Sequence, residues 1–402
     1  MVDELTLTAR WVFPVTAAPL ERGLVTVRGD RIAAVEPHGT RTADIDLGDV
    51  AIVPGFVNAH THLDLTGARG LTPPTPDFVG WLRQVIAYRR GRTPEQISAD
   101  VQVGIAESLR FGTTLVGDIA VEGATWDALA AAPIRAVVFR ELIGLSDERA
   151  AAAWEGFDWW LKAAEETATC RAGVSPHAPY SVAESLYVRA TFAGVPLAIH
   201  LAETRAEMDL LATHSGPFVP FLKDLGAWAP DRMMSNAERA IGNNTIAVPC
   251  LVVHGNFLPA TAPIFSHGTV VYCPRTHAAF GHPPHPFREF LRRGVRVALG
   301  TDSLASNPDL SVLSEARFLR TRYGNLRGGL LLRMATLSGA EACDWADDVG
   351  SLDSGKSADF AVVALPSRDA ADPHELLFDS DLPVVATWFR GKEVFRSPVA
   401  HG

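Results

Sequence analysis

The chain has 402 residues, of which 47% are hydrophobic and 20% charged, so it can bury a large core. A net charge of −10 with no Lys/Arg-dense face argues against a nucleic-acid polymer as partner and favours a small molecule. No stretch approaches the roughly 20 uninterrupted apolar residues of a membrane span, and the opening MVDELTLTARWVF has neither signal nor transit character. Cys170, Cys250, Cys273 and Cys343 form no CxxC pair, and three of them lie in or beside apolar runs. They read as reduced, buried thiols of a cytoplasmic protein.

The first fifty residues alternate short β-rich runs with turns: LTLTARWVF, then GLVTVRGDRIAAVEP, with Gly29-Asp30 as a hairpin signal. Hairpins this short need partners to close a core. Those partners appear at the other end, where DFAVVAL and VVATWFRGKEVF return to β pattern after GSLDSGKSADF. The expected organisation is one small composite β-sandwich domain, residues 1–52 and 350–402, flanking a central domain, residues 53–349.

The central stretch repeats an apolar, β-branched run that ends in polar residues and is followed by a helical segment. The runs are AIVPGFVNAH, TTLVGDI, IRAVVFREL, RAGVSPH, PLAIHLAE, CLVVHGN, GTVVYCPR and VRVALGTD. Apolar strands alternating with helices predict a parallel α/β sheet buried on both faces. Eight of them favour a closed (β/α)₈ TIM barrel over an open doubly wound sheet, and no GxGxxG follows the first run.

In such barrels the loops after the strands build the catalytic face. Here the first run ends in His60-Thr61-His62, and residues two apart on a strand point the same way, so both imidazoles can reach one ion. The fifth run supplies His200, the sixth His254 and the eighth Asp302. A lone strand-end histidine is ordinarily a hydrogen-bonded structural residue. Their joint recurrence, with HxH spacing and a closing Gly-Thr-Asp, predicts a metal site instead. Glu203 follows His200 by three residues where strand gives way to helix. It can lean over the ion as a proton carrier, or serve only as an acid at a helix N-terminus.

Taken together, PGFVNAHTHLDL, HLAET, VVHGN, GTDSLASNPDLS, MATLSGAEA and GSLDSGKSADF resemble the amidohydrolase superfamily, within it the branch of cytosine-deaminase-like and atrazine/triazine-type hydrolases. The resemblance runs over almost the whole chain. It implies one divalent ion, zinc or alternatively iron, held by His60, His62, His200 and Asp302, with water completing the shell. It also implies Glu203 as proton shuttle, His254 as hydrogen-bonding partner of the attacked group or the water, and Asp302 as a base while ligating. Attack on an electron-poor ring carbon then releases ammonia. Two-metal members place a carboxylated lysine at the end of the fourth strand, but SPHAPY puts His177 there, which implies a single ion. His177 contacts substrate or is a buried structural histidine.

The segment after strand seven, CPRTHAAFGHPPHPF, brings Arg275, His277, His282 and His285 together. It departs from the CP-x-SN segment of methylthioadenosine and S-adenosylhomocysteine deaminases and looks more like the 6-aminodeoxyfutalosine deaminases of the menaquinone pathway. Their substrate joins adenine to a benzoate, and a carboxylate calls for a guanidinium. Arg275 or Arg140 could supply it, unless Arg275 pairs with a barrel carboxylate. Glu141 and Trp81 contact sugar or ring, or else only pack. The leading expectation is a deaminase acting on an adenine nucleoside. The alternatives are another purine or pyrimidine deaminase, a triazine-type hydrolase, or a non-catalytic barrel whose degraded ligand set would betray it. Dimers are common in the branch, so a homodimer is an open expectation.

Overall fold

The computed structural model describes residues 4–242 and 248–398. The outermost residues of the expected terminal domain, 1–3 and 399–402, lie outside the described residues. Eight parallel strands run in chain order: β1 (Phe56–Thr61), β2 (Thr113–Val121), β3 (Arg135–Leu142), β4 (Cys170–Pro176), β5 (Leu197–Leu201), β6 (Cys250–His254), β7 (Gly268–Tyr272) and β8 (Arg296–Leu299). Helices lie between most of them, and the whole is a (β/α)₈ barrel.

Closure between β1 and the chain after β8 is specific. Thr61 bridges Asp302, and the amides of Thr301 and Asp302 both donate to the His60 carbonyl, at 3.1 and 3.0 Å. Asn58 donates to Thr301 Oγ1 at 2.8 Å and accepts from the Thr301 amide at 3.0 Å. Gly300 allows this approach, since a Cβ there would lie 2.9 Å from His60 Cβ and 3.0 Å from its backbone. The seam that closes the barrel thus also fixes two candidate ligands.

Barrel strands are buried on both faces. Val137 and Phe139 join Val57, Leu115, Leu251 and Val271 inside, while Ala136 and Val138 pack outward against the helices. The run AIVPGFVNAH, expected to be one barrel strand, is two strands in different sheets. Val50–Pro54 pairs antiparallel with Phe360–Ala364, and the barrel begins at Phe56. Gly55 is the switch point: a Cβ there would meet Thr114 Oγ1 at 1.9 Å.

Both ends of the chain supply a sheet-rich domain. One four-stranded sheet comes from residues 4–46, and one six-stranded sheet joins strands before residue 55 to strands after residue 359. The hairpin expected at Gly29-Asp30 is present, with Gly29 at φ 63°. Leu7, Val25 and Ile32 from the first sheet share a core with Ile52, Val362 and Trp388 from the second. Arg135 on β3 donates to Asp359 at 3.0 Å, a buried ion pair between barrel and terminal sheets. Among the described residues no helix is long and apolar enough to cross a membrane.

Candidate metal centre and adjoining cavity

The strand-end residues converge. Ligand atoms of His60, His62 and His200 lie within 4.8 Å of one another, as do those of Glu203, His254 and Asp302, and all six residues are buried. His62 Nε2 is 3.3 Å from His200 Nε2, and Asp302 Oδ1 is 3.5 Å from His60 Nε2 and 3.7 Å from His62 Nε2. Two nitrogens bound about 2.0–2.1 Å from a tetrahedral ion lie about 3.3 Å apart, so these separations fit a shared cation.

The donor chemistry fits as well. Burial, reinforced by neighbouring imidazoles, holds His62 and His200 well below the usual histidine range, leaving neutral rings with free lone pairs. The His177 carbonyl lies 3.2 Å from His200 Nδ1, an acceptor that places the His200 proton there and turns Nε2 toward the cluster. Among the described residues neither ring nitrogen of His60 has a hydrogen-bond partner, an orphaned buried pair that a cation would satisfy at one atom. Burial opposes ionisation of Asp302, but the imidazoles of His60, His254 and His62 gathered around it outweigh that and hold the carboxyl below its ordinary value.

Backbone conformation aims two of these groups. His254 and Asp302 have φ of 67° and 61°, left-handed values that non-glycine residues hold only when their surroundings enforce them. For Asp302 the enforcement comes from the Ser303 amide at 2.7 Å and the Ser306 hydroxyl at 3.0 Å, both donating to its carboxylate. For His254 it comes from His285, whose Nε2 lies 2.7 Å from the His254 carbonyl while its ring stacks on Tyr272.

Glu203 sits before the helix Arg205–Thr213, whose cap is Thr204 and whose first-turn acid is Glu207. Helix stabilisation therefore falls to Glu207, and Glu203 is left to face the mouth, with Oε1 3.4 Å from His254 Nε2. Glu207, which the sequence reading missed, accepts from the amides of Ala202 and Glu203 at 2.9 Å each. Asn256 donates to the Glu203 carbonyl at 3.0 Å, so the backbone of this loop is held from two sides. Burial, then the nearby Asp302 charge, pushes the Glu203 carboxyl well above the usual carboxylate range. Burial lowers His254 to about 3, so its imidazole is neutral near pH 7.

Arg140, Arg275 and Trp81, expected to touch substrate, each hydrogen-bond within the protein. Arg140 shares the outward parity of Ala136 and Val138, and its guanidinium donates to the Glu122 carbonyl at 2.8 Å, beside Trp160. Arg275 pairs with two carboxylates, Nε to Glu315 at 2.7 Å and Nη2 to Asp309 at 2.7 Å. Of its two readings, pairing within the barrel is the one this geometry matches. Trp81 packs edge-on against Phe280, and its indole N–H donates to the Thr72 carbonyl at 2.9 Å. His277 and His282 lie 5.5 Å apart, ring to ring, in the loop region after β7, both near pKa 4 from burial.

His177 and Glu141 do open onto a cavity of about 500 Å³, with Leu82, Ile86, Tyr180 and Phe221 among its apolar walls. His177 Nδ1 bonds Ser181 Oγ at 2.7 Å and its Nε2 lies 3.9 Å from Glu141 Oε1. The helix Phe78–Arg90, capped by Asp77, contributes Arg89, a second group not singled out from sequence. Arg89 Nη2 lies 3.1 Å from Asp64 and 3.3 Å from His62 Nδ1, while its Nη1 is 3.7 Å from Glu141.

A parallel barrel whose strand ends bring three imidazoles, a carboxylate and a proton-holding Glu–His pair to one mouth defines a (β/α)₈ enzyme with a metal-capable centre. The amidohydrolase family matches residues 51–394, and the chain belongs to that family. It is 30% identical over 395 residues to the 5-methylthioadenosine/S-adenosylhomocysteine deaminase of Moorella thermoacetica, covering 91% of this chain and 86% of that protein. Among solved structures it resembles a zinc-bound adenosine deaminase from Xanthomonas campestris, at 27% identity and TM-score 0.78, over 97% of this chain and 92% of the other. The Helicobacter pylori aminofutalosine deaminase in complex with methylthio-coformycin shares the fold at TM-score 0.85 and 24% identity, over 97% and 100% of the two chains.

Proposed function

We propose that this protein is a metal-dependent aminohydrolase that releases ammonia from an amino-substituted heterocycle, in the first instance an adenine nucleoside such as 6-aminodeoxyfutalosine. The observation that carries the reading is the Glu203–His254 pair, 3.4 Å apart, beside the cluster of His60, His62, His200 and Asp302. The named activities of the Moorella and Xanthomonas proteins support an adenine-containing substrate.

His60, His62, His200 and Asp302 would hold one divalent ion, and imidazole with carboxylate suits zinc or iron. When bound, such an ion makes water acidic enough to act as a nucleophile near neutral pH. The remaining work belongs to the side chains. Glu203 takes a proton from the attacking water and delivers it to the departing amine, a transfer for which its raised proton affinity is suited. His254, neutral and 3.4 Å from Glu203, donates to the oxygen that is added to the ring carbon. His177 and Glu141 line the cavity where the rest of the substrate lies.

The test is ammonia release from a panel of amine-bearing heterocycles by the metal-loaded protein: 6-aminodeoxyfutalosine, methylthioadenosine, S-adenosylhomocysteine, adenosine, guanine, cytosine and alkylamino-triazines. Turnover of an adenine nucleoside is expected. Turnover confined to triazines or pyrimidines would overturn the nucleoside assignment.

A further inference from the structure

One buried carboxylate beside the candidate metal centre is surplus to the charges around it. Asp64, Arg89 and Glu141 form a cluster of two acids and one guanidinium. Asp64 takes the short contacts, with both of its oxygens 3.1–3.2 Å from Arg89 Nη2. Glu141 is left at 3.7 Å from Nη1, with its side chain 2% exposed and neither oxygen in a hydrogen bond among the described residues. Its other polar neighbour, His177 Nε2, is 3.9 Å away, beyond hydrogen-bond reach. A charged carboxylate held dry without donors is costly unless a ligand completes it.

The direction in which it waits is fixed by β3. Phe139 and Glu141 share the inward parity, so the carboxylate stands at the barrel mouth and lines the cavity of about 500 Å³ that also receives His177. Arg89 spans the gap between Glu141 and His62 Nδ1, which puts Glu141 one guanidinium away from a candidate ligand. With a ring held at the metal centre, as the nucleoside reading has it, the substituent it carries would extend into this cavity.

We infer that Glu141 is the specificity-determining residue for that substituent, accepting hydrogen bonds from a neutral group rich in O–H donors, such as the vicinal hydroxyls of a ribose. This rests on the nucleoside reading above and sharpens it. Arg89, 3.7 Å away, orients Glu141 toward the cavity. A substituent without donors leaves the carboxylate unpaired in a dry pocket and is rejected.

The experiment compares adenosine with 2′,3′-dideoxyadenosine on the zinc-loaded full chain, in wild type, Glu141→Gln and Glu141→Ala. Wild type should favour adenosine in kcat/KM by roughly 10- to 100-fold, the range for hydrogen bonds to a charged acceptor. The preference should reside mainly in KM, shrink in Glu141→Gln, which keeps one acceptor oxygen, and fall close to unity in Glu141→Ala. Equal kcat/KM for the two nucleosides in wild type, or an unchanged ratio in Glu141→Ala, overturns the inference while leaving deamination intact. If neither nucleoside is turned over and neither binds by calorimetry, the nucleoside reading fails and this inference fails with it.

Discussion

Replacing Arg275 by Met separates a structural arginine from a substrate-binding one. Its guanidinium bonds Glu315 at 2.7 Å and Asp309 at 2.7 and 3.0 Å, and the Glu315 side chain is fully buried. Glu315 in turn accepts from Asn307, which also donates to the Thr301 carbonyl at the barrel seam. Removing one partner of a buried pair typically costs about 3–5 kcal/mol. Burial already pushes the Glu315 carboxyl up against the pull of Arg275, so the variant's Glu315 should take up a proton rather than stay ionised, which keeps the loss near the lower figure. At about 2.1 cal/mol/K per residue, a chain of this length has an unfolding entropy near 0.8 kcal/mol/K, and the expected drop in Tm is about 4 °C. The assay is calorimetric melting of both proteins, paired with kcat/KM on 6-aminodeoxyfutalosine and adenosine. Any loss of activity should be shared by both substrates, because the damage is to the Thr301–Asp302 seam. A Tm within about 1 °C of wild type together with selective loss on the carboxylate-bearing substrate would refute the reasoning.

Other consequences are open to direct measurement. Glu203→Gln should lower turnover by roughly 10²–10⁴-fold while metal content, read by elemental analysis, stays at the wild-type level; unchanged turnover would remove Glu203 from the mechanism. Gly300→Ala forces a Cβ to within 3.0 Å of His60 and should loosen both the seam and the centre, with about 1–3 kcal/mol lost in denaturant titration and weaker metal retention. Asp118 on β2 accepts from the Leu63 amide at 2.8 Å, and burial raises its carboxyl to about 7. Because the folded state holds this proton more tightly than the unfolded chain, the contribution is complete below about pH 4 and is lost as pH rises through about 7. Asp118→Asn, neutral at every pH, should therefore flatten the fall in stability between about pH 5 and pH 7.5, and an unchanged slope in urea titrations would contradict the assignment.

The strand-end residues were legible because covalent spacing alone determines them. An HxH on one strand and single groups at the ends of apolar runs need only barrel closure to meet. Parity within a strand was not legible. In RAVVFREL both faces are buried, so no alternation tells Arg140 from Glu141, and only the inward packing of Phe139 decides it. Gly55 hid a change of sheet inside one apolar run, because the clash that it avoids is with Thr114, nearly sixty residues on. Arg275 found Asp309 and Glu315 in the loop and helix after β8, and Arg89 reached Glu141 from the helix after β1. Such pairings depend on how loops from different strands settle across the mouth. The cue for Glu207 was local, since Thr204 and Glu207 make the cap-to-third-residue spacing of a helix start, which assigns the capping duty away from Glu203.

Metal stoichiometry in ligand variants decides whether these strand-end groups share one cation. Zinc- or iron-loaded wild type, His200→Ala and Asp302→Asn would be dialysed and measured by plasma mass spectrometry, with melting curves recorded before and after chelation. One ion per wild-type chain, a Tm that falls on chelation, and loss of the ion in both variants although they remain folded are the expected results. Full metal retention by folded His200→Ala and Asp302→Asn would contradict a shared cation.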